Sequence, residues 1–282
     1  MKLQTILLTT LAMIAFASNS LLNRLALGHD TIDPTSYTTV RLVSGAVTLF
    51  ILASLQRKAN SSVLSGSWIS AVFLFLYAIT FSFAYLSLST GTGALILFGS
   101  VQITMIVVAL RGGERPSLWE WIGLLLALGG LVYLVFPGLA APSLLGSALM
   151  AIAGIAWGFY TLRGRGSQNP LGSTAGNFVY SVPMILVVLF LSLKNIHISS
   201  SGILYAIISG AITSGVGYAI WYAALRGLTT TRAATIQLSV PVIAAWSGVV
   251  VLAENVSLRL FIAGVLVLGG IALALSSRVK KI

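Results

Sequence analysis

Apolar stretches of roughly 20 residues follow one another along the whole chain, split by short polar breaks. A bilayer core about 30 Å thick takes roughly 20 residues of helix. By that length the pattern predicts ten spans, over 3–27, 35–55, 67–88, 92–110, 117–136, 143–162, 173–193, 202–225, 231–252 and 257–276. Helix breakers stand between them: Asp33-Pro34, Gly112-Gly113, Pro137-Gly138, Pro142 and Asn169-Pro170. Ser117-Leu118-Trp119-Glu120 is a capping-box pattern and places a helix start at Ser117. The loops are too short to hold a separate soluble domain.

The pattern also repeats. Residues 224–270 laid without a gap on 84–130 match at 14 of 47 positions. Matches among Ala, Leu and Ile carry little weight in so apolar a chain. Glu114 with Glu254, Ser117 with Ser257, and Gly129-Gly130 with Gly269-Gly270 carry more. The expected fold is therefore an all-α membrane protein of two homologous halves, 1–138 and 139–282, each with five spans. Five is odd, so the second half enters the membrane from the opposite side. Inverted halves give a transporter two states of similar energy, with a site between the halves near the midplane.

Composition narrows the class. The 282 residues are 57% hydrophobic and 7% charged, against about 25% charged for soluble domains. The net charge of +11 points to nucleic acid less than to basic loops. With the amino terminus inside, one side collects Lys2, Arg57, Lys58, Arg111, Arg115, Arg163, Arg165, Arg226, Arg232, Arg278, Lys280 and Lys281. The other side has Arg24, Lys194 and Arg259, together with Asp30 and Asp33. Twelve against three predicts both termini in the cytoplasm. Lys2, an apolar run and Ala15-Phe16-Ala17 look like a cleavable secretory signal. The run continues to about Leu27, however, and its removal would leave the first half one span short, so it is read as a span.

Enzyme chemistry finds no foothold. There is no Cys, and His29 and His197 fall in predicted loops. Neither H-E-x-x-H nor G-x-S-x-G occurs. No metal or cofactor is expected. A channel would want a carbonyl filter or rings of charge, and neither is visible.

Tyr222-Ala-Ala-Leu225, Ala233-Ala234, Leu238-Ser-Val-Pro241, Glu254, Leu258 and Gly269-Gly270 form a pattern repeated more weakly in the first half. There it reads Ala84, Gly93-Ala94, Glu114-Arg-Pro-Ser117, Gly123 and Gly129-Gly130, with Trp157-Gly158 in the sixth span and Arg41 in the second. Together they resemble the EamA domain of the drug/metabolite transporter superfamily over essentially the whole chain. Val101 departs from the pattern, standing where the second half has Pro241. The resemblance implies a ten-helix exporter of small organic metabolites in a bacterial inner membrane. Aromatic amino acids and threonine or homoserine are prominent among the solutes it implies.

Polar side chains deep in hydrocarbon are costly unless paired or facing a wet cavity. They are therefore the candidate solute-binding residues. Ser214, Tyr218, Trp221 and Tyr222 share one helical face, although Tyr and Trp also belong to interfacial belts. Asn19 either binds a solute or bonds a neighbouring helix. Tyr77, Thr80 and Tyr85 lie largely on one face of the third span. Ser100, Gln102, Gln237 and Ser239 come from the fourth and ninth spans, and Trp157 and Tyr160 from the sixth. Pro241 frees a carbonyl one turn back, at Gln237; such an opened turn either binds a solute or serves as a hinge, and it is read as a hinge. Arg41 is the one charge well inside a span. It holds a solute carboxylate or snorkels towards Asp30 or Asp33. Glu114 and Glu254 are read as acceptors for backbone donors at the start of the following helix, with gating as the alternative. No Asp or Glu is placed at mid-membrane, which predicts weak or absent proton coupling.

Overall fold

The computed structural model describes residues 3–56, 63–111, 117–136, 141–164, 167–228, 236–237 and 239–276. Ten helices run through them: α1 (Leu3–Gly28), α2 (Pro34–Leu55), α3 (Trp68–Ala84), α4 (Thr90–Arg111), α5 (Leu118–Val135), α6 (Leu144–Gly164), α7 (Pro170–Leu191), α8 (Ser200–Leu225), α9 (Ser239–Leu252) and α10 (Leu258–Ser276). Six of them, α1, α2, α4, α6, α7 and α8, are long and apolar enough to cross a membrane, and shorter apolar helices join them. Glu114 and many of the basic residues that set the expected orientation lie outside the described residues, among them Arg57, Lys58, Arg115, Arg165, Arg232 and Arg278.

The breakers become caps. Asp33 caps α2 by accepting from the Ser36 amide at 2.9 Å, with Pro34 opening the helix. Asn169 does the same for α7 through Gly172 at 3.1 Å, followed by Pro170. A side-chain oxygen satisfies an orphan amide at a helix start, and proline suits the first position because it has no amide to satisfy. The connections after α1 and after α7 meet: Asp33 N donates to His197 O at 3.0 Å, and Ser199 N to Thr31 O at 2.9 Å.

Packing pairs the helices across the chain. α5 lies on α10, α2 on α7 and α4 on α9. α3 lies on α6 as α8 does on α1; α4 lies on α6 as α9 does on α1; and α3 lies on α7 as α8 does on α2. Exchanging each helix for the one five places along maps these principal contacts onto themselves.

The core holds aromatic and polar side chains, and the outside is apolar. Leu7, Leu11 and Ile14 of α1, Val47, Phe50 and Ile51 of α2, and Val187 and Phe190 of α7 are all exposed. Such faces are stable in lipid and costly in water. The fold is that of an integral, multi-pass membrane protein.

One departure from regular helix matters for the site. Within α8, residues Ile208–Val216 form a π-helical segment. There α8 comes so close to α2 that a side chain on Gly210 would run into the Arg41 carbonyl and Ser44 Oγ.

Candidate functional site

Arg41 is the centre of the buried polar network. It is 1% exposed, so it does not snorkel. Its Nε donates to Ser214 Oγ at 3.1 Å. Its Nη2 donates to the hydroxyls of Tyr77 at 3.1 Å and Tyr218 at 3.3 Å. The guanidinium carbon lies 5.3 Å from the Tyr77 ring centre and 5.4 Å from that of Phe81. Its Nη1 has no acceptor among the described residues. Among the described residues, every hydrogen-bond partner of its side chain is a neutral hydroxyl.

Asn19 joins this network from α1. Its Nδ2 donates to Tyr77 OH at 3.2 Å. Its Oδ1 accepts from Ser209 Oγ at 2.6 Å, Thr213 Oγ1 at 3.4 Å and Asn23 Nδ2 at 3.4 Å. Asn19 therefore bonds neighbouring helices, and it also lines the cavity described next. The ladder continues outward through Asn23, Ser82 and Thr38. The π segment explains why α8 can serve both polar centres. In a helix bonded i to i+5, residues five apart stack, so Ser209 reaches Asn19 while Ser214 reaches Arg41.

Against these hydroxyls lies a small aromatic-walled cavity of about 10 Å³, room for about one water. Phe16, Asn19, Tyr77, Phe81, Trp157 and Tyr218 contribute to its wall. Phe16 meets Trp157, Tyr218 and Trp221 edge-on, with ring centres 5.7–5.8 Å apart. Trp157 packs on Tyr218 at 4.8 Å and on Tyr77 at 4.9 Å. The wall draws on α1, α3 and α4 and on α6 and α8. A larger groove of about 570 Å³ opens beside Leu8, Gln56, Asn169, Ala219 and Arg226. It lies on another face of α8 from Tyr218.

Of the residues expected at a site, Asn19, Arg41, Tyr77, Trp157, Ser214 and Tyr218 come together. Trp221 is buried one layer behind Phe16. Tyr160 packs on Trp157 at 5.5 Å, but its hydroxyl turns to Asn177 at 3.5 Å. Tyr222 is buried against Gly164. Thr80 is half-buried and bonds the Leu76 carbonyl of its own helix at 2.7 Å. Tyr85 is spent on the Thr90 carbonyl at 3.4 Å. Ser100 packs where α4 crosses Gly154 of α6. Gln102 and Gln237 are buried outside the cavity wall. Ser239 donates to the Ile236 carbonyl at 2.8 Å. Pro241 lies in the first turn of α9, with helical Ile236 and Gln237 ahead of it. Ser209 and Thr213 were not among the expected residues. The cue for them is three small polar residues, Ser209, Thr213 and Ser214, within six positions of an apolar span.

A second polar centre sits at the carboxyl-terminal end of α1. Arg24 Nε pairs with Glu254 Oε1 at 3.3 Å and its Nη1 donates to the Tyr85 carbonyl at 3.1 Å. The Thr90 amide, first in α4, donates to both Glu254 oxygens, at 2.8 and 3.1 Å. Glu254 thus serves the start of α4, the helix related to its own by the repeat. The expectation that it would serve the following helix, α10, is corrected. The physical reason is the α4–α9 packing, which brings that helix start to the carboxylate.

Comparison with known proteins agrees with this architecture. The chain is 48% identical over 278 residues to an uncharacterized protein of Pseudomonas aeruginosa, spanning 99% of this chain and 96% of that one. It is 20% identical over 255 residues to an uncharacterized transporter of Bacillus subtilis, spanning 86% and 87%. A crystal structure described only as that of a protein superposes with a TM-score of 0.68 at 19% identity, over 99% of each chain. That match speaks for the fold alone. The EamA-like transporter family matches residues 3–136 and again 144–276, and the chain belongs to that family.

Proposed function

We propose that the protein exports small organic metabolites bearing a carboxylate, foremost aromatic or threonine-like amino acids, across a bacterial inner membrane by alternating access. The observation that carries this reading is Arg41. It is a buried guanidinium between the two halves whose described partners are all neutral, beside an aromatic cavity. A cation buried without a counter-ion is costly, and a solute carboxylate offsets that cost. Two inverted five-helix halves, 1–138 and 139–282, are supported by the sequence repeat and by packing that survives exchange of the halves. Cytoplasmic termini rest on the twelve-to-three distribution of basic residues.

Export of a drug cation fits poorly beside Arg41, and a nucleotide sugar would call for several basic groups. A plain sugar has no use for a buried cation. A single chain supplies both walls of the cavity, so a monomer suffices. Weak or absent proton coupling is supported by the lack of any Asp or Glu side chain at the cluster among the described residues. The test is counterflow in proteoliposomes loaded with unlabelled phenylalanine or threonine. Saturable uptake of the labelled amino acid, equal with and without a pH gradient and removed by Tyr218→Ala, is the expected result. No counterflow by folded protein for any carboxylate solute would refute the reading, and flux that never saturates would make the protein a channel.

A further inference from the structure

Resting on that reading, we infer that the cavity walled by Tyr77, Trp157 and Tyr218 selects solutes of net charge −1. It prefers a carboxylate without an ammonium group over the amino acid of the same body.

The wall is rich in donors. Tyr77 OH already accepts from Arg41 Nη2 and Asn19 Nδ2, which leaves its proton to give. Tyr218 OH also accepts from Arg41, but its own proton goes to Tyr77 OH at 3.4 Å, so the pair of phenols keeps one proton to give. Trp157 Nε1 is buried with no acceptor among the described residues, and an indole nitrogen can only donate.

The wall's acceptors are neutral and mostly engaged, the exception being the Ser20 hydroxyl, which has no partner among the described residues. The group best suited to an ammonium is an amide oxygen, and Asn19 Oδ1 already takes three donors, from Ser209, Thr213 and Asn23. Ser214 Oγ already accepts from Arg41 Nε. Two of the five carboxylates of the chain, Asp30 and Asp33, precede α2, and Glu254 is engaged by Arg24.

Charge points the same way. A guanidinium keeps its proton in a protein, so the empty cluster carries +1. A monoanion brings it to zero, a zwitterion leaves it at +1, and a cation raises it to +2. Unbalanced charge is most expensive in a region of low dielectric. An amino acid therefore gains the carboxylate contact yet adds an ammonium that meets no carboxylate among the described residues, only the neutral hydroxyl of Ser20, and its deaminated counterpart avoids that loss.

The test is isothermal titration of the detergent-solubilised full-length protein near neutral pH with solutes differing by one group. 3-Phenylpropionate, phenylalanine and phenethylamine form one series. 3-Hydroxybutyrate and threonine form another with a small body. In the series that binds, the deaminated carboxylate should bind about tenfold or more tightly than the amino acid, and phenethylamine should not bind. Arg41→Gln should abolish carboxylate binding, and the order within the wild-type protein decides the question whatever that variant does to folding. An amino acid that binds as tightly as its deaminated counterpart, or more tightly, overturns the charge rule and leaves the carrier reading standing. Undiminished carboxylate binding by folded Arg41→Gln overturns the placement of the site. Failure of every carboxylate to bind overturns both the rule and the reading beneath it.

Discussion

Arg24 and Arg41 stand on consecutive helices, α1 and α2, and both reach from the first half of the chain to the second. Arg24 ends on a carboxylate, Glu254, and its side chain keeps 27% exposure. Arg41 ends on three hydroxyls and is 1% exposed. The more deeply buried charge is the one left without a counter-ion, which is the reverse of what stability alone would favour. The comparison separates two uses of one side chain. Arg24 belongs to a closed structural set, satisfied by Glu254, the Tyr85 carbonyl and the Thr90 helix start. Arg41 belongs to an open set, which on the proposed reading a solute carboxylate completes.

Removing the two charges should therefore have opposite signatures, which gives the largest expected effects. Arg41→Met fills similar volume and removes an uncompensated charge. Counterflow should fall by about a hundredfold or more, the scale of a lost charge-assisted contact of about 3 kcal/mol, while the melting temperature in detergent holds or rises. A clear drop in melting temperature would show that Arg41 is structural. Glu254→Gln is the converse case. It strands Arg24 and weakens the contact with the Thr90 amide. It should cost about 1–2 kcal/mol of stability, less than a fully buried pair because both groups keep some exposure. Thermal unfolding measures that loss. Substrate binding at equilibrium should change little, since Glu254 does not touch the cavity.

The helices were legible in the sequence because lipid demands length and apolarity, and both are read residue by residue. Arg41, Tyr77, Tyr218 and Ser214 were legible as polar groups in spans. Which of the polar residues converge was not. Thr80 and Ser239 look equivalent to Ser214 in the sequence, yet each is satisfied by a carbonyl of its own chain three or four residues back. A polar side chain with a local partner has no need of a cavity, and that choice depends on rotamer and neighbours. The π segment was hidden as well, because one additional residue per turn leaves no mark on hydropathy. Within it, Ser209 and Thr213 both donate to Asn19 Oδ1. Glu254 could be paired with Glu114 by the repeat, but its partners Arg24 and Thr90 lie 230 and 164 positions away.

Smaller changes sharpen the comparison by disturbing how Glu254 is held rather than removing it. Gly248 leaves the space that the carboxylate occupies: a Cβ there would collide with Glu254 Oε2 and come within 3.0 Å of Thr90 Cβ. Gly248→Ala should push the carboxylate off the Thr90 amide and cost about 1–2 kcal/mol, the usual scale of overpacking. Combined with Glu254→Gln it should cost less than the sum of the two, because both act on one contact. Additive losses in thermal unfolding would mean that Gly248 matters for some other packing.

Ala253 offers the smallest effect and the cleanest sign. It closes α9 with φ at 51°, in the left-handed region where a Cβ crowds the following carbonyl. That turn brings Glu254 back under the helix, with its amide on the Gly248 carbonyl at 3.1 Å, and so aims the carboxylate at Arg24. Glycine takes this conformation without the Cβ penalty but loses more freedom on folding. The two terms leave a net gain of about 0.5–1 kcal/mol for Ala253→Gly. Melting temperature should rise slightly, and solute affinity at Arg41 should not move. A fall in stability would mean that Ala253 does not hold the left-handed turn in the membrane, and that Glu254 reaches Arg24 by another route.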